Sequence, residues 1–130
     1  MRKITEKVET TLKALQEKQA SDIITLQLIG ITAIADYMVI CTGDSPPQIK
    51  ALAENVEAKL KELGKRPRSM QGLANAKWVL IDCGDVLVNI FDNEYRRFYE
   101  LEKLWLDAPR VSVAEENQHH QSMEKEPADV

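Results

Sequence analysis

Asp82 and Asp85, on either side of Cys83-Gly84, come nearest to a catalytic pair in this 130-residue chain. Carboxylates at that spacing can hold a divalent cation for nucleotidyl transfer. That chemistry also needs a third carboxylate and a correctly placed Gly-Ser loop, and neither is evident. Aspartates and a glycine between two apolar runs more often build a turn. The only histidines, His119 and His120, sit near the C-terminus. They have no third ligand at useful spacing, so a metal site is not expected, and the rest of the chain lacks the usual general base. Gly64-Lys65 looks like the end of a phosphate-binding loop, yet Lys59 stands where that motif needs its first glycine. Cys41 and Cys83 lie inside apolar runs rather than in a Cys-x-x-Cys pair, as expected of packed, reduced thiols. No cofactor, metal or catalytic group is expected; the chemistry open to this chain is recognition.

The elements that must position a recognition surface fit one domain. A chain that is 44% hydrophobic at this length can bury a sizeable core without a disulfide or metal. No run approaches the roughly 20 apolar residues of a membrane span. Met1-Arg2-Lys3-Ile4-Thr5-Glu6 lacks the apolar stretch of a signal peptide, so a cytoplasmic protein is expected. The net charge of -4 is unevenly placed. Residues 1–110 carry 16 Lys and Arg against 16 Asp and Glu, whereas residues 111–130 hold five acids against Lys125 alone. The sequence therefore predicts a folded domain over 1–110 and an acidic, disordered tail over 111–130. A neutral domain predicts little direct contact with nucleic acid, and no membrane partner.

Ile4, Val8, Leu12 and Leu15 recur at helical spacing, predicting an amphipathic helix from Lys3 to Gln19. Ile23–Leu28 and Tyr37–Thr42 are short, apolar and β-branched, and read as strands. Ser45 then suits a helix cap, Pro46 the first turn, and Gln48 the third position of a capping box. Ile49, Leu52, Ala53, Val56, Leu60 and Leu63 line one face of that helix, and Gly64 ends it. Asp92-Asn93 caps a last helical segment carrying Tyr95, Phe98, Tyr99, Leu101, Leu104 and Trp105.

The stretch from Lys77 to Phe91 reads as a hairpin. With Cys83-Gly84 as a two-residue turn, Asp82 pairs with Asp85, Ile81 with Val86, Leu80 with Leu87, Val79 with Val88 and Trp78 with Asn89. One face is then Val79, Ile81, Val86, Val88 and Ile90, suited to lie against helices. The other is Trp78, Leu80, Asp82, Asp85, Leu87 and Asn89, an aromatic and two leucines edged by polar groups. That composition is typical of an interface centre. The fold class predicted is α/β (α+β), a single domain with a mixed sheet of about five strands and helices packed on it.

Across these elements the sequence resembles the ribosomal silencing factor family, also called Iojap. The resemblance lies in Ala35-Asp36-Tyr37, Thr42-Gly43 with Ser45 and Gln48, Trp78-Val79-Leu80-Ile81-Asp82, Gly84-Asp85-Val86, Phe98-Tyr99-Glu100-Leu101-Glu102-Lys103-Leu104-Trp105 and Asp107-Ala108-Pro109. The matches run in order over about residues 3 to 110. Where the family usually has histidine, glutamate and arginine, this chain has Asn89, Gln71 and Pro47. The resemblance implies a sheet related to nucleotidyl transferases but without their activity. It also implies a translational repressor that binds the large ribosomal subunit, through its ribosomal protein fourteen, and blocks joining of the small subunit. Tyr99 then joins the six residues of the hairpin face as an expected partner contact. Two alternatives stand beside this reading, a nucleotidyl transferase-class enzyme and a scaffold whose hairpin face closes a homodimer.

Overall fold

In a computed structural model that describes residues 5–111, two helices lie on one face of a five-stranded sheet and a C-terminal segment lies on the other. The elements are α1 (Glu6–Glu17), β1 (Ser21–Gln27), β2 (Tyr37–Thr42), α2 (Pro46–Glu62), β3 (Ser69–Gln71), β4 (Trp78–Asp82), β5 (Val86–Phe91) and α3 (Asn93–Tyr99). A short 3-10 helix, Leu101–Trp105, follows. The strand order is β1-β2-β5-β4-β3, with β2 and β5 parallel at the centre and the other pairs antiparallel. The expected α+β fold with its mixed sheet is therefore found, including a fifth strand that the sequence did not single out. His119, His120 and the acidic tail lie outside the described residues.

The helix signals act as their chemistry requires. Ser45 Oγ accepts from Gln48 N at 3.2 Å, while Gln48 Oε1 accepts from Asp44 N at 2.6 Å. Gln48 does more than a capping-box residue, because its Nε2 donates to Lys18 O and Gln19 O at the end of α1. Asn55 adds a second tie, its Nδ2 donating to Ala14 O at 2.9 Å. At the far end Gly64 N and Lys65 N return to Lys61 O and Leu60 O, closing α2 as a helix that stops sharply. Val8, Leu12, Ala14 and Leu15 of α1 and Ile49, Leu52, Ala53, Val56 and Leu60 of α2 pack on Val39, Cys41, Val79, Ile81, Val86, Val88 and Ile90.

β2 is buried along its whole length because both of its faces are covered. Tyr37, Val39 and Cys41 face the helices, whereas Met38 and Ile40 join Leu26, Leu28, Phe91 and Ala108 beneath the C-terminal segment. That segment also protects the edge of β1. Gln27 N donates to Pro109 O, Val111 N donates to Thr25 O, and Arg110 bridges Leu26. Covered at Thr25–Gln27, that edge is less able to template pairing with another chain, whereas among the described residues β3 has no strand on its outer side.

Both cysteines are free and buried. Burial pushes the Cys41 thiol up to about 12 against the lowering effect of Arg96. It pushes Cys83 to about 11, with Lys7 lowering and Asp82 and Asp85 raising it further. Each thiol starts from an ordinary value of 9.0. Above that value the unfolded chain sheds thiol protons that the folded chain keeps, so this part of the stability is intact below about pH 9 and falls as pH climbs toward 11 to 12. At pH 8 neither thiol should react with a disulfide reagent until the chain unfolds. A Cys41→Ala/Cys83→Ala variant should show a flatter loss of unfolding midpoint above pH 9 than the parent; equal slopes would contradict this account.

Candidate functional site

The hairpin of β4 and β5 carries the expected face, with one correction to its register. Observed pairs are Trp78 with Phe91, Val79 with Ile90, Leu80 with Asn89, Ile81 with Val88 and Asp82 with Leu87. Cys83 N donates to Val86 O at 2.9 Å, so the two-residue turn is Gly84-Asp85 rather than Cys83-Gly84. Gly84 takes φ 86 at the first turn position, a conformation glycine reaches without strain and one that suits the twist of a hairpin. Moving the turn by one residue slides the pairing by two. Two is the side-chain period of a strand, so the strand residues keep their faces.

Asp85 is the exception. It sits in the turn, and its Oδ1 accepts from Lys7 Nζ of α1 at 2.6 Å, on the helix side of the sheet. The expectation that Asp85 lies on the mixed face is therefore overturned. Asp82 remains on that face, with Oδ1 accepting from Gly84 N at 2.9 Å. The two carboxylates thus hold different partners on different sides of the hairpin. Among the described residues no three His, Cys, Asp or Glu side chains come together in a way that could hold a metal ion.

The mixed face is graded from dry to wet across the sheet. Near β2 it is closed by the C-terminal segment. Toward β3 it opens, leaving Trp78, Leu80, Asp82 and Leu87 half-buried. Trp78 stacks on Phe91 with centroids 4.9 Å apart and meets Tyr99 at 4.8 Å. Its Nε1 donates to Asn89 Oδ1 at 2.9 Å. Asn89, expected on an open surface, is instead 2% exposed. Phe91, its neighbour on the same side of β5, is wholly buried, and the covering of this side by distant residues explains both. The Nδ2 of Asn89 has no hydrogen-bond partner among the described residues.

Tyr99 reaches the same cluster from α3, which Asp92 caps through Oδ1 and Tyr95 N at 2.7 Å. The last helical segment is not continuous. Glu100 turns left-handed at φ 46, and the chain resumes as the 3-10 helix. Arg96 holds the two pieces to the sheet, donating from Nη1 to Thr42 Oγ1 at 2.8 Å and from Nε to Glu102 Oε2 at 3.2 Å. The result is an aromatic ledge beside the hairpin. Tyr99 is 44% exposed, Phe98 77% and Leu104 68%. Phe98 packs edge-on against Tyr99 at 5.0 Å.

The structure thus joins Trp78, Leu80, Asp82, Leu87, Asn89 and Tyr99 and leaves Asp85 out. Phe98, exposed beside Tyr99, was missed as a member, and Phe91 was missed as the buried ring beneath Trp78. The corrected pairing of Trp78 would have revealed Phe91, and the aromatic density from Tyr95 to Trp105 was the signal for Phe98. Trp78, Leu80, Leu87, Tyr99 and Phe98 make a largely apolar surface edged by Asp82, suited to a protein partner, while the buried Asn89 and Phe91 support Trp78 from beneath.

The model of the family described as ribosomal silencing factor during starvation matches residues 1–130. The chain is 44% identical over 100 residues to ribosomal silencing factor RsfS of Bacillus subtilis, covering 77% of this chain and 85% of that protein. It is 39% identical over 108 residues to ribosomal silencing factor RsfS of Halalkalibacterium halodurans, covering 83% and 92%. A crystal structure of a Chromobacterium violaceum protein superposes with a TM-score of 0.77 at 36% identity, covering 87% of this chain and 93% of that one. Full-length family agreement, close relatives and the shared fold converge, and the chain belongs to the ribosomal silencing factor family.

Proposed function

We propose that this chain, a ribosome-associated regulator of translation by its family, represses translation by occupying the large ribosomal subunit so that the small subunit cannot join. Docking is through large-subunit ribosomal protein fourteen, and the mechanism is steric; no bond is broken. The observation that carries this reading is the half-open face of Trp78, Leu80 and Leu87 beside Tyr99. A stacked indole flanked by leucines and an acid is the composition of an interface hot spot. In support of a non-catalytic role, Asp82 is engaged by Gly84 N and Asp85 by Lys7. Among the described residues no helix is long and apolar enough to cross a membrane.

Incubated with purified subunits, the protein should sediment with large subunits, not with small ones, and should lower the yield of paired ribosomes as its concentration rises. Equal sedimentation with both subunits, or pairing that proceeds unchanged while the protein is bound, refutes the mechanism.

A further inference from the structure

The loop from α2 to β3 concentrates positive charge that the protein leaves unneutralised. Lys65, Arg66 and Arg68 are all exposed. Among the described residues none of the three has a carboxylate within ion-pair distance. Other exposed cations such as Lys13, Lys50 and Arg97 share that condition, and what sets this loop apart is three cations within four consecutive residues. Asp82 Oδ1, on the adjoining strand, accepts from Gly84 N instead.

The loop is also held in shape. Pro67 fixes its own φ and confines Arg66 before it to extended backbone, so the cations stand on a stiff stretch of chain. Arg68 N donates to Asp82 O at 2.7 Å, which anchors the loop to the hairpin. The Arg68 side chain lies along Gly84 at the hairpin turn. This places the charges at the open edge of the sheet, next to the strand that carries Trp78, Leu80 and Asp82.

We propose that Lys65, Arg66 and Arg68 form a phosphate-binding rim that grips the ribosomal RNA backbone while the Trp78 face engages protein. The proposal rests on the docking function above and adds a second class of contact to it. Guanidinium groups match phosphate oxygens in paired geometry, and unpaired cations are the groups that release counterions from RNA. The loop contains no aromatic side chain on which a base could stack, so the contact is to backbone and independent of sequence. The neutrality of residues 1–110 does not oppose this, because a sum over the domain hides where each sign is placed.

The test compares the parent with a Lys65→Ser/Arg66→Ser/Arg68→Ser variant, measuring affinity for purified large subunits across a salt series. In parallel, both are titrated with isolated ribosomal protein fourteen, free of RNA. Three phosphate contacts steepen the fall of log affinity with log salt by about 2 to 3 units, at about 0.7 to 0.9 per contact. The variant should lose that much slope and at least tenfold in affinity at low salt, with unchanged binding to the isolated protein. Lys65→Ser alone, which removes one exposed ammonium and nothing else, should lose about a third of the slope. Parent-like slope and affinity in both variants overturn the RNA contact and leave the docking function intact. Weakened binding to the isolated protein overturns it too, by showing that the loop touches protein. A parent that ignores large subunits defeats the docking function itself, and this proposal with it.

Discussion

Replacing Trp78 with alanine is expected to weaken binding to large subunits by roughly thirtyfold or more, the consequence of losing about 2 kcal/mol at the centre of an interface. The indole is held on three sides before any partner arrives, by Phe91, by Tyr99 and by the Asn89 amide. An anchor fixed in this way binds without first surrendering rotamer freedom, and so its removal costs more than the lost contact area alone. The same packing means that the variant also loses stability. A fully buried aromatic costs about 3–5 kcal/mol on truncation, and the half-buried Trp78 should cost less. Affinity must therefore be measured well below the unfolding midpoint of the variant. Trp78→Phe supplies the control, since it keeps one aromatic ring in the stack while losing the second ring and the hydrogen bond to Asn89. A folded Trp78→Ala protein that binds as tightly as the parent would remove this face from consideration.

The second large effect belongs to Phe91, beneath the site rather than in it. Phe91 is wholly buried, stacks on Trp78 and packs with Leu26, Leu28, Met38 and Ile40. Phe91→Ala should cost about 3–5 kcal/mol in folding free energy, lowering the melting temperature by more than about 10 °C. Where the domain stays folded, subunit affinity should also fall, because the indole loses the ring that fixes its tilt. A melting temperature within about 2 °C of the parent would show that the covering segment collapses into the gap, and that this side of the sheet is looser than its packing indicates.

The contrast between these two residues shows how far the sequence could be read. Helix α2 was legible to its caps because Ser45, Pro46 and Gly64 act within one turn of their own positions. The faces of the hairpin were legible because strand periodicity survives a slip of two. The register itself was not, since Cys83-Gly84 and Gly84-Asp85 are both plausible two-residue turns, and only the choice of Gly84 as first turn residue separates them. Asp85 was misplaced for the same reason: a turn residue obeys the turn, not the alternation of the strands beside it. The three residues of β3 are too few to show a period. Burial of Asn89 and Phe91 depends on Leu101, Trp105 and Ala108 folding back over the sheet, and long-range docking leaves no local pattern. The break at Glu100 gave no warning either, because glycine, not glutamate, is the usual residue at a left-handed helix end.

The parallel pairing of β2 with β5 has a consequence for how the molecule comes into being. Tyr37 pairs with Val86 and Thr42 with Phe91, so β2 receives its second neighbour only from the last strand made. β2 itself, Tyr37-Met38-Val39-Ile40-Cys41-Thr42, carries no charge and no proline. A six-residue segment of this kind with one edge unpaired is a template for association with other chains. At about 5–20 residues per second, a ribosome leaves that edge open for several seconds before β5 follows. Termination anywhere short of β5 makes the exposure permanent. Prematurely stopped copies of this protein should therefore accumulate as aggregates or be degraded rather than persist as smaller working versions, and the whole domain must be synthesised before any part of it is safe.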